Sequence, residues 1–160
     1  MPTIIDYLLL TVITIFPVLS LGIMLFFSFV IAPTVHKFLP TQQSGPYIRR
    51  LFPIYYIING ALALGSLIAI ASLGIFNAIF YANLIVLALF ALSYFYLMPA
   101  INKQKLKTSR KFKILHGSSV AVNFAQIILL ISIKILIFCS LTITRSEEHT
   151  SELQSHHDLV

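Results

Sequence analysis

The chain has 160 residues, of which 58% are hydrophobic and 10% are charged, and its formal net charge at pH 7 is +6. Soluble domains carry about 25% charged residues, so this composition excludes an ordinary water-soluble globule. The single cysteine excludes a disulfide framework and a cysteine-based metal cluster.

Four apolar stretches follow one another, and each is long enough to cross a hydrocarbon layer as a helix. Their predicted limits are about 7–32, 53–73, 78–98 and 115–143. Prolines set several of these limits: Pro33 and Pro99 follow the ends of the first and third spans, and Pro53 stands at the start of the second. Pro17 lies inside the first span and predicts a kink there.

The cations of the chain are concentrated in the first and third connections. The first contains Lys37, Arg49 and Arg50, and the third is the basic segment 103–113, whereas the second connection, residues 74–77, has no charge. Basic loops stay in the cytoplasm, so the pattern places both connections inside and both termini outside. The sequence predicts an all-α fold, an integral membrane bundle of four antiparallel helices over residues 1–144, in a plasma membrane.

The last sixteen residues, 145–160, change composition abruptly, since four of the five acidic residues and three of the five histidines are found there. The segment from Arg145 to His156 resembles the conceptual translation of a short-read sequencing adapter. We therefore interpret residues 145–160 as a disordered read-through tail that does not belong to the fold.

The second span has a pattern that predicts close helix packing. Ala61, Gly65 and Ala69 recur every four residues, which gives a smooth strip where another helix backbone can approach. Most tyrosines, including Tyr55 and Tyr56, fall near predicted span ends, where an amphipathic ring suits the headgroup zone.

The fourth span carries five polar side chains within about 80° of one line along the helix. They are His116, Ser119, Asn123, Gln126 and Lys134. Polar groups should not face lipid without partners, so this stripe should point into the bundle or into a wet crevice. Its side chains would then form hydrogen bonds between helices, or they would line a path or pocket for a polar ligand or a proton. Lys134 is either buried or snorkels to an interface.

Two histidines, His36 after the first span and His116 at the start of the fourth, fall on the same predicted side. Such a pair could ligate haem or act in acid–base chemistry. Asp6, the only acid outside the tail, lies on the opposite side, and no phosphate loop, HExxH sequence or nucleophile elbow occurs. We therefore predict no enzyme, no catalytic residue, no metal site and no cofactor.

The basic segment is explained by topology alone, and it would also attract anionic lipid headgroups on the cytoplasmic side. The cations concerned are Lys103, Lys105, Lys107, Arg110, Lys111 and Lys113. Nucleic acid is not an expected partner, because no fold that reads DNA or RNA accompanies the patch. A homo-oligomer or a membrane-protein partner stays open.

Short motifs in both halves resemble the transmembrane protein 205-like family (domain of unknown function 4149), in the layout of its bacterial members. They lie at residues 32–34, 39–40 and 50–56, then at 97–102 and 112–119, with Asn123. The resemblance implies a small multi-pass domain with no established reaction. It marks as family-pattern positions Phe52, Pro53, Tyr55, His116, Ser119 and Asn123, whereas His36 departs from the pattern.

The leading interpretation is a non-enzymatic integral membrane protein that assists small-solute transport or permeability, or acts as a membrane scaffold. The polar stripe of the fourth span and the lack of a catalytic set favour it. The alternative is a membrane-embedded redox or haem-binding protein that uses His116.

Overall fold

The computed structural model of the protein describes residues 3–104 and 109–157, and over those residues it contains helices and no strand. The α-helices are α1 (Ile4–Phe26), α2 (Ala32–Phe38), α3 (Thr41–Ser72), α4 (Ala78–Leu92), α5 (Met98–Asn102) and α6 (Arg110–His157). The described residues also contain two π-helical segments, π1 (Phe27–Ile31) between α1 and α2, and π2 (Ser93–Leu97) between α4 and α5.

Within the described residues, four helical stretches are long and apolar enough to cross a membrane, so the predicted all-α membrane fold is confirmed. Their bounds are Ile4–Phe38, Gln42–Ser72, Ala78–Asn102 and Arg110–Ser140. Each stretch is longer than the predicted span because a helix can continue past the hydrocarbon layer into the interface, where hydropathy no longer marks it.

The first and third spans pass through Pro33 and Pro99 instead of ending before them, which corrects two predicted limits. A proline cannot donate the helical hydrogen bond, but a local π turn can accommodate the lost bond. Both spans use this device: the N–H of Ala32 donates to the carbonyl of Phe27, and that of Met98 donates to the carbonyl of Ser93. In both spans the π-helical segment ends two residues before the proline.

The second helix begins at Thr41 rather than near Pro53, so Pro46 and Pro53 lie inside α3. The predicted start rested on Pro53, because a proline at the first helical position loses no hydrogen bond. Helical backbone does not require hydrocarbon, however, and the basic turns continue α3 beyond the apolar layer. Pro17 likewise lies within a continuous α1.

The connection between α3 and α4 is a compact helical hairpin, as predicted. Gly74 has a φ of +68°, and the N–H of Ile75 donates to the carbonyl of Ile70, which terminates α3. Asn77 then caps α4 by accepting a hydrogen bond from the N–H of Ile79 at 2.9 Å. Because so few residues connect α3 to α4, the two helices must run antiparallel.

The four spans form a bundle in which α1 and α4 each pack against both α3 and α6. The core includes Met24, Ile70, Phe90 and Ile133, none of which is more than 1% exposed. Large apolar side chains also cover the outside of the bundle, Phe95 for example being 76% exposed. An apolar exterior of this extent is stable in lipid but not in water.

The predicted close approach along α3 occurs at Gly65, where an added Cβ would lie 2.7 Å from Cε2 of Phe16 in α1. Ala69 is buried as well, at 2% exposure, but Ala61 is exposed. The close approach to α1 is therefore established at Gly65, whereas Ala61 lies outside the packed face.

The backbone of α6 remains helical through His157, whereas the sequence predicts disorder from residue 145. Residues 145–157 contain no glycine or proline, and extending an existing helix requires no new nucleation. Residues 158–160 lie outside the described part of the chain, and the adapter interpretation of the tail stays a prediction.

Candidate functional site

A cavity of about 490 Å³ lies at the basic end of the bundle. The first and third spans end around it, and the second and fourth begin around it, so all four helices contribute to its walls. Pockets that hold small molecules have volumes of about 300–1,000 Å³. The cavity therefore has the size of a ligand site.

Four aromatic rings form one wall of the cavity, and they come from π1 and α3. The ring centroid of Phe27 lies 4.7 Å from that of Tyr55 and 5.3 Å from that of Phe52. Tyr56 completes the cluster, stacked on Phe52 at 5.7 Å. Tyr55 and Tyr56 are 5% and 7% exposed, so both side chains are buried inside the bundle, and their depth in the headgroup zone stays a prediction.

A hydrogen-bonded chain joins three helical segments behind this wall. The hydroxyl of Tyr55 donates to Oδ1 of Asn123 at 2.7 Å, and Nδ2 of Asn123 donates to Oγ of Ser28 at 3.3 Å. Ser28 lies in π1, Tyr55 in α3 and Asn123 in α6. The interhelical hydrogen bonding expected of the polar stripe is therefore present at Asn123.

The same polar chain continues into the core. The hydroxyl of Ser20 donates to Oδ1 of Asn59 at 2.7 Å, and Nδ2 of Asn59 donates to the carbonyl of Tyr55 at 2.8 Å. Sequence reasoning missed Ser20, Ser28 and Asn59, although each is a polar residue inside an apolar span. Such isolated residues in predicted membrane helices were the signal that could have identified them.

The mouth of the cavity is polar and basic. Arg49, His36, His116 and Asn102 line it, and no aspartate or glutamate is found among the lining residues of the described chain. The imidazole of His116 stacks on the ring of Phe112 at 5.8 Å with planes only 4° apart, which orients it along α6. His36 and His116 therefore face one cavity, as their predicted common side requires.

The stripe of the fourth span is divided by the structure. His116, Ser119 and Asn123 line the cavity, and Ser119 lies within hydrogen-bonding reach of Tyr56. Gln126 is 1% exposed, and its Nε2 has no hydrogen-bond partner. Lys134 is exposed, which corrects the expectation that it would point into the bundle. Its exposure favours the snorkelling interpretation.

The family-pattern positions converge on the cavity. Those that line it are Phe52, Tyr55, His116, Ser119 and Asn123. Pro53, the remaining position, lies between Phe52 and Tyr55 inside α3, where it removes one helical hydrogen bond from the wall. The pattern that the resemblance supplied thus describes one place in the fold.

The described part of the basic segment presents its cations on the outer surface. Its exposed described cations are Lys103, Arg110, Lys111 and Lys113, whereas Lys105 and Lys107 lie outside the described residues. Lys103 and Lys111 line a second, shallower groove of about 260 Å³ together with Tyr96. Among the described residues, no group of three or more histidine, cysteine or acidic side chains could hold a metal ion.

Comparison with known proteins gives a family but no activity. Residues 15–111 match the family described as Domain of unknown function (DUF4149), which confirms the domain of unknown function 4149 over those residues, whereas the likeness to transmembrane protein 205 stays a prediction. A protein of Aquifex aeolicus (strain VF5), described as an uncharacterized protein, is 34% identical over 126 residues, which cover 74% of this chain and 89% of the relative. No solved structure matches. The lining residues from π1, α2, α3 and α5 lie inside the family match, and those from α6 lie beyond it.

Proposed function

Since the chain belongs to the DUF4149 family and folds into four apolar helices, we propose that it is a non-enzymatic membrane protein that binds a small solute and assists its passage. The observation that carries this proposal is the cavity, which all four spans build and in which five of the six family-pattern side chains meet. Its walls combine apolar rings with a few convergent polar groups, as ligand sites do.

The two π-helical segments support a binding role, because such segments occur frequently at functional sites. The cavity lies beside π1, which contributes Phe27, Ser28 and Phe29 to its lining. Ser28 also accepts the last hydrogen bond of the polar chain. A pure scaffold would gain nothing from helices that separate around a cavity, since tight packing is the main stabilising term between membrane helices.

Filling the cavity tests the proposal. Ala32→Phe places a ring inside the cavity, because Ala32 lines it, and should abolish binding of any molecule held there. Ala61→Phe is the matched control, since Ala61 is exposed on α3 and does not line the cavity. Native mass spectrometry of both variants and the parent chain, purified in mild detergent, should detect a bound small molecule in the parent and in Ala61→Phe only.

An identical set of bound species in all three proteins would refute the proposed function. A porphyrin among the released molecules would replace it by the redox or haem-binding alternative, in which His116 and His36 face the same cavity. The visible spectrum of the same sample would show a bound haem directly by its absorption.

The orientation is part of the proposal: the basic end faces the cytoplasm, near anionic headgroups, and both termini lie outside. It is supported by the exposed cations of the segment 103–113 and by Lys37 at the same end of the bundle. A bacterial plasma membrane is the proposed location, and a homo-oligomer or a membrane-protein partner stays compatible with the exposed apolar surface.

Cysteine labelling in intact cells tests this orientation. In a chain whose only cysteine, Cys139, is replaced by serine, Phe76→Cys should react with an impermeant maleimide added outside, because the connection after α3 would face outward. Gln43→Cys and Gln104→Cys should react only after the membrane is permeabilised. The opposite pattern would invert the proposed orientation while leaving the fold unchanged.

A further inference from the structure

We propose that the solute of the cavity is a single-chain amphiphile with an anionic head, which enters from the lipid between the first and fourth spans. The inference rests on the proposed function and adds the chemical class of the ligand and its route. Three features of the cavity lead to it: an unbalanced positive charge, apolar walls and an opening toward the bilayer.

The positive charge belongs to Arg49, which lines the cavity and is only partly exposed, whereas the adjacent Arg50 is exposed and does not line it. No aspartate or glutamate of the described chain lines the cavity with Arg49. A guanidinium in surroundings of low dielectric constant attracts an anion strongly, and it binds carboxylates and phosphates through paired hydrogen bonds. The polar end of the cavity therefore selects an anionic head.

A small anion alone would leave the apolar walls of the cavity without contacts. Behind the mouth, the rings of Phe27, Phe52 and Tyr55 and the side chain of Ile127 present mostly hydrocarbon surface. Burying apolar ligand surface against such walls contributes about 25 cal/mol per Å². A hydrocarbon chain attached to the anionic head would gain this term, whereas a free inorganic anion would leave the walls uncovered.

An opening toward lipid follows from two lining residues that are also exposed. Phe29 in π1 is 67% exposed and Phe124 in α6 is 55% exposed, and both line the cavity. The wall between the first and fourth spans therefore reaches the apolar outer surface of the bundle. An amphiphile can enter there with its chain in the hydrocarbon layer and its head at the depth of Arg49.

Photolabelling of the full chain in nanodiscs of zwitterionic phosphatidylcholine tests the inference. The first probe is a palmitic acid analogue with a diazirine in its chain, and the second is its neutral monoglyceride ester, which has the same chain. Competition is measured with oleate, dodecyl phosphate, monoolein and inorganic phosphate. The acid probe should label peptides that contain Phe29 or Phe124, and oleate and dodecyl phosphate should compete, whereas monoolein and inorganic phosphate should not.

Variants of the two adjacent arginines separate a specific site from general attraction. Arg49→Gln should weaken labelling by the acid probe about tenfold, the usual consequence of losing one charge-assisted hydrogen bond. Arg50→Gln removes the same charge one position away and should change labelling little, and Arg49→Lys should restore part of it. Ala32→Phe should abolish labelling by either probe.

Equal labelling by the acid and the ester, or equal loss in Arg49→Gln and Arg50→Gln, would overturn the inferred ligand class. Competition by inorganic phosphate as strong as that by dodecyl phosphate would overturn the amphiphile in favour of a soluble anion. In these cases a bound molecule that Ala32→Phe loses and Ala61→Phe keeps would still support the proposed function. Failure of that native mass spectrometry comparison itself would overturn the function as well.

Discussion

Gly65→Leu is expected to lower the free energy of unfolding of the bundle by about 2 kcal/mol relative to Gly60→Leu. A Cβ at Gly65 would lie 2.7 Å from the ring of Phe16, so the leucine must displace this ring and separate α1 from α3. At Gly60 an added Cβ meets nothing within 4 Å. Both substitutions gain about 1 kcal/mol of helix propensity, so that term cancels and overpacking decides the difference.

The comparison is made by thermal or denaturant unfolding of the two variants in the same detergent micelle. Gly65→Ala should be more stable than Gly65→Leu and no more stable than Gly60→Leu, because the edge of the Phe16 ring can yield to one methyl group more easily than to a leucine side chain. If Gly65→Leu and Gly60→Leu were equally stable, the close approach of α1 and α3 at this level would be refuted.

Asn123→Leu is expected to cost about 1–2 kcal/mol, the second large effect. The substitution removes both the acceptor of the Tyr55 hydroxyl and the donor to Ser28, and leaves two hydroxyl groups beside an apolar side chain. Interhelical hydrogen bonds between membrane helices contribute about 0.6 kcal/mol on average and at most about 1.7 kcal/mol. The estimate therefore allows for two such bonds.

The matched control is Ser118→Leu, which replaces an exposed polar residue on the same helix and should be neutral or stabilising in a micelle. A double-mutant cycle of Asn123→Leu with Tyr55→Phe isolates the bond between the two side chains. Strictly additive costs in that cycle would indicate that the hydroxyl of Tyr55 does not depend on Asn123.

Hydropathy and charge predicted the number of spans and their short hairpin, because a bilayer imposes length and composition on each span separately. The helix limits at Pro33, Pro53 and Pro99 were wrong for a physical reason. A proline ends a helix only if the lost hydrogen bond cannot be compensated, and π turns compensate it at Pro33 and Pro99. Hydropathy has no means of recognising that compensation.

The candidate site was predicted only in part. Helical periodicity grouped His116, Ser119 and Asn123 on one face of α6, and these residues do line the cavity. Periodicity could not separate them from Lys134, because the direction in which a helix face points depends on its neighbours. Ser28, which bonds to Asn123, lies in π1, and Asn59 bonds to Ser20 and to the carbonyl of Tyr55, so no pattern within α6 could identify either residue.

The sequence by itself determined that this chain folds in a membrane as four antiparallel helices. The apolar length of a segment and the charge of its loops favour membrane insertion for each segment separately, whatever the other segments are. Only the tertiary structure decided that the four spans separate at the basic end, that Tyr55 and Tyr56 turn inward, and that Arg49 faces a cavity while Arg50 does not. These outcomes depend on how helix faces pack against one another, and packing is a property of pairs of helices that no single segment encodes.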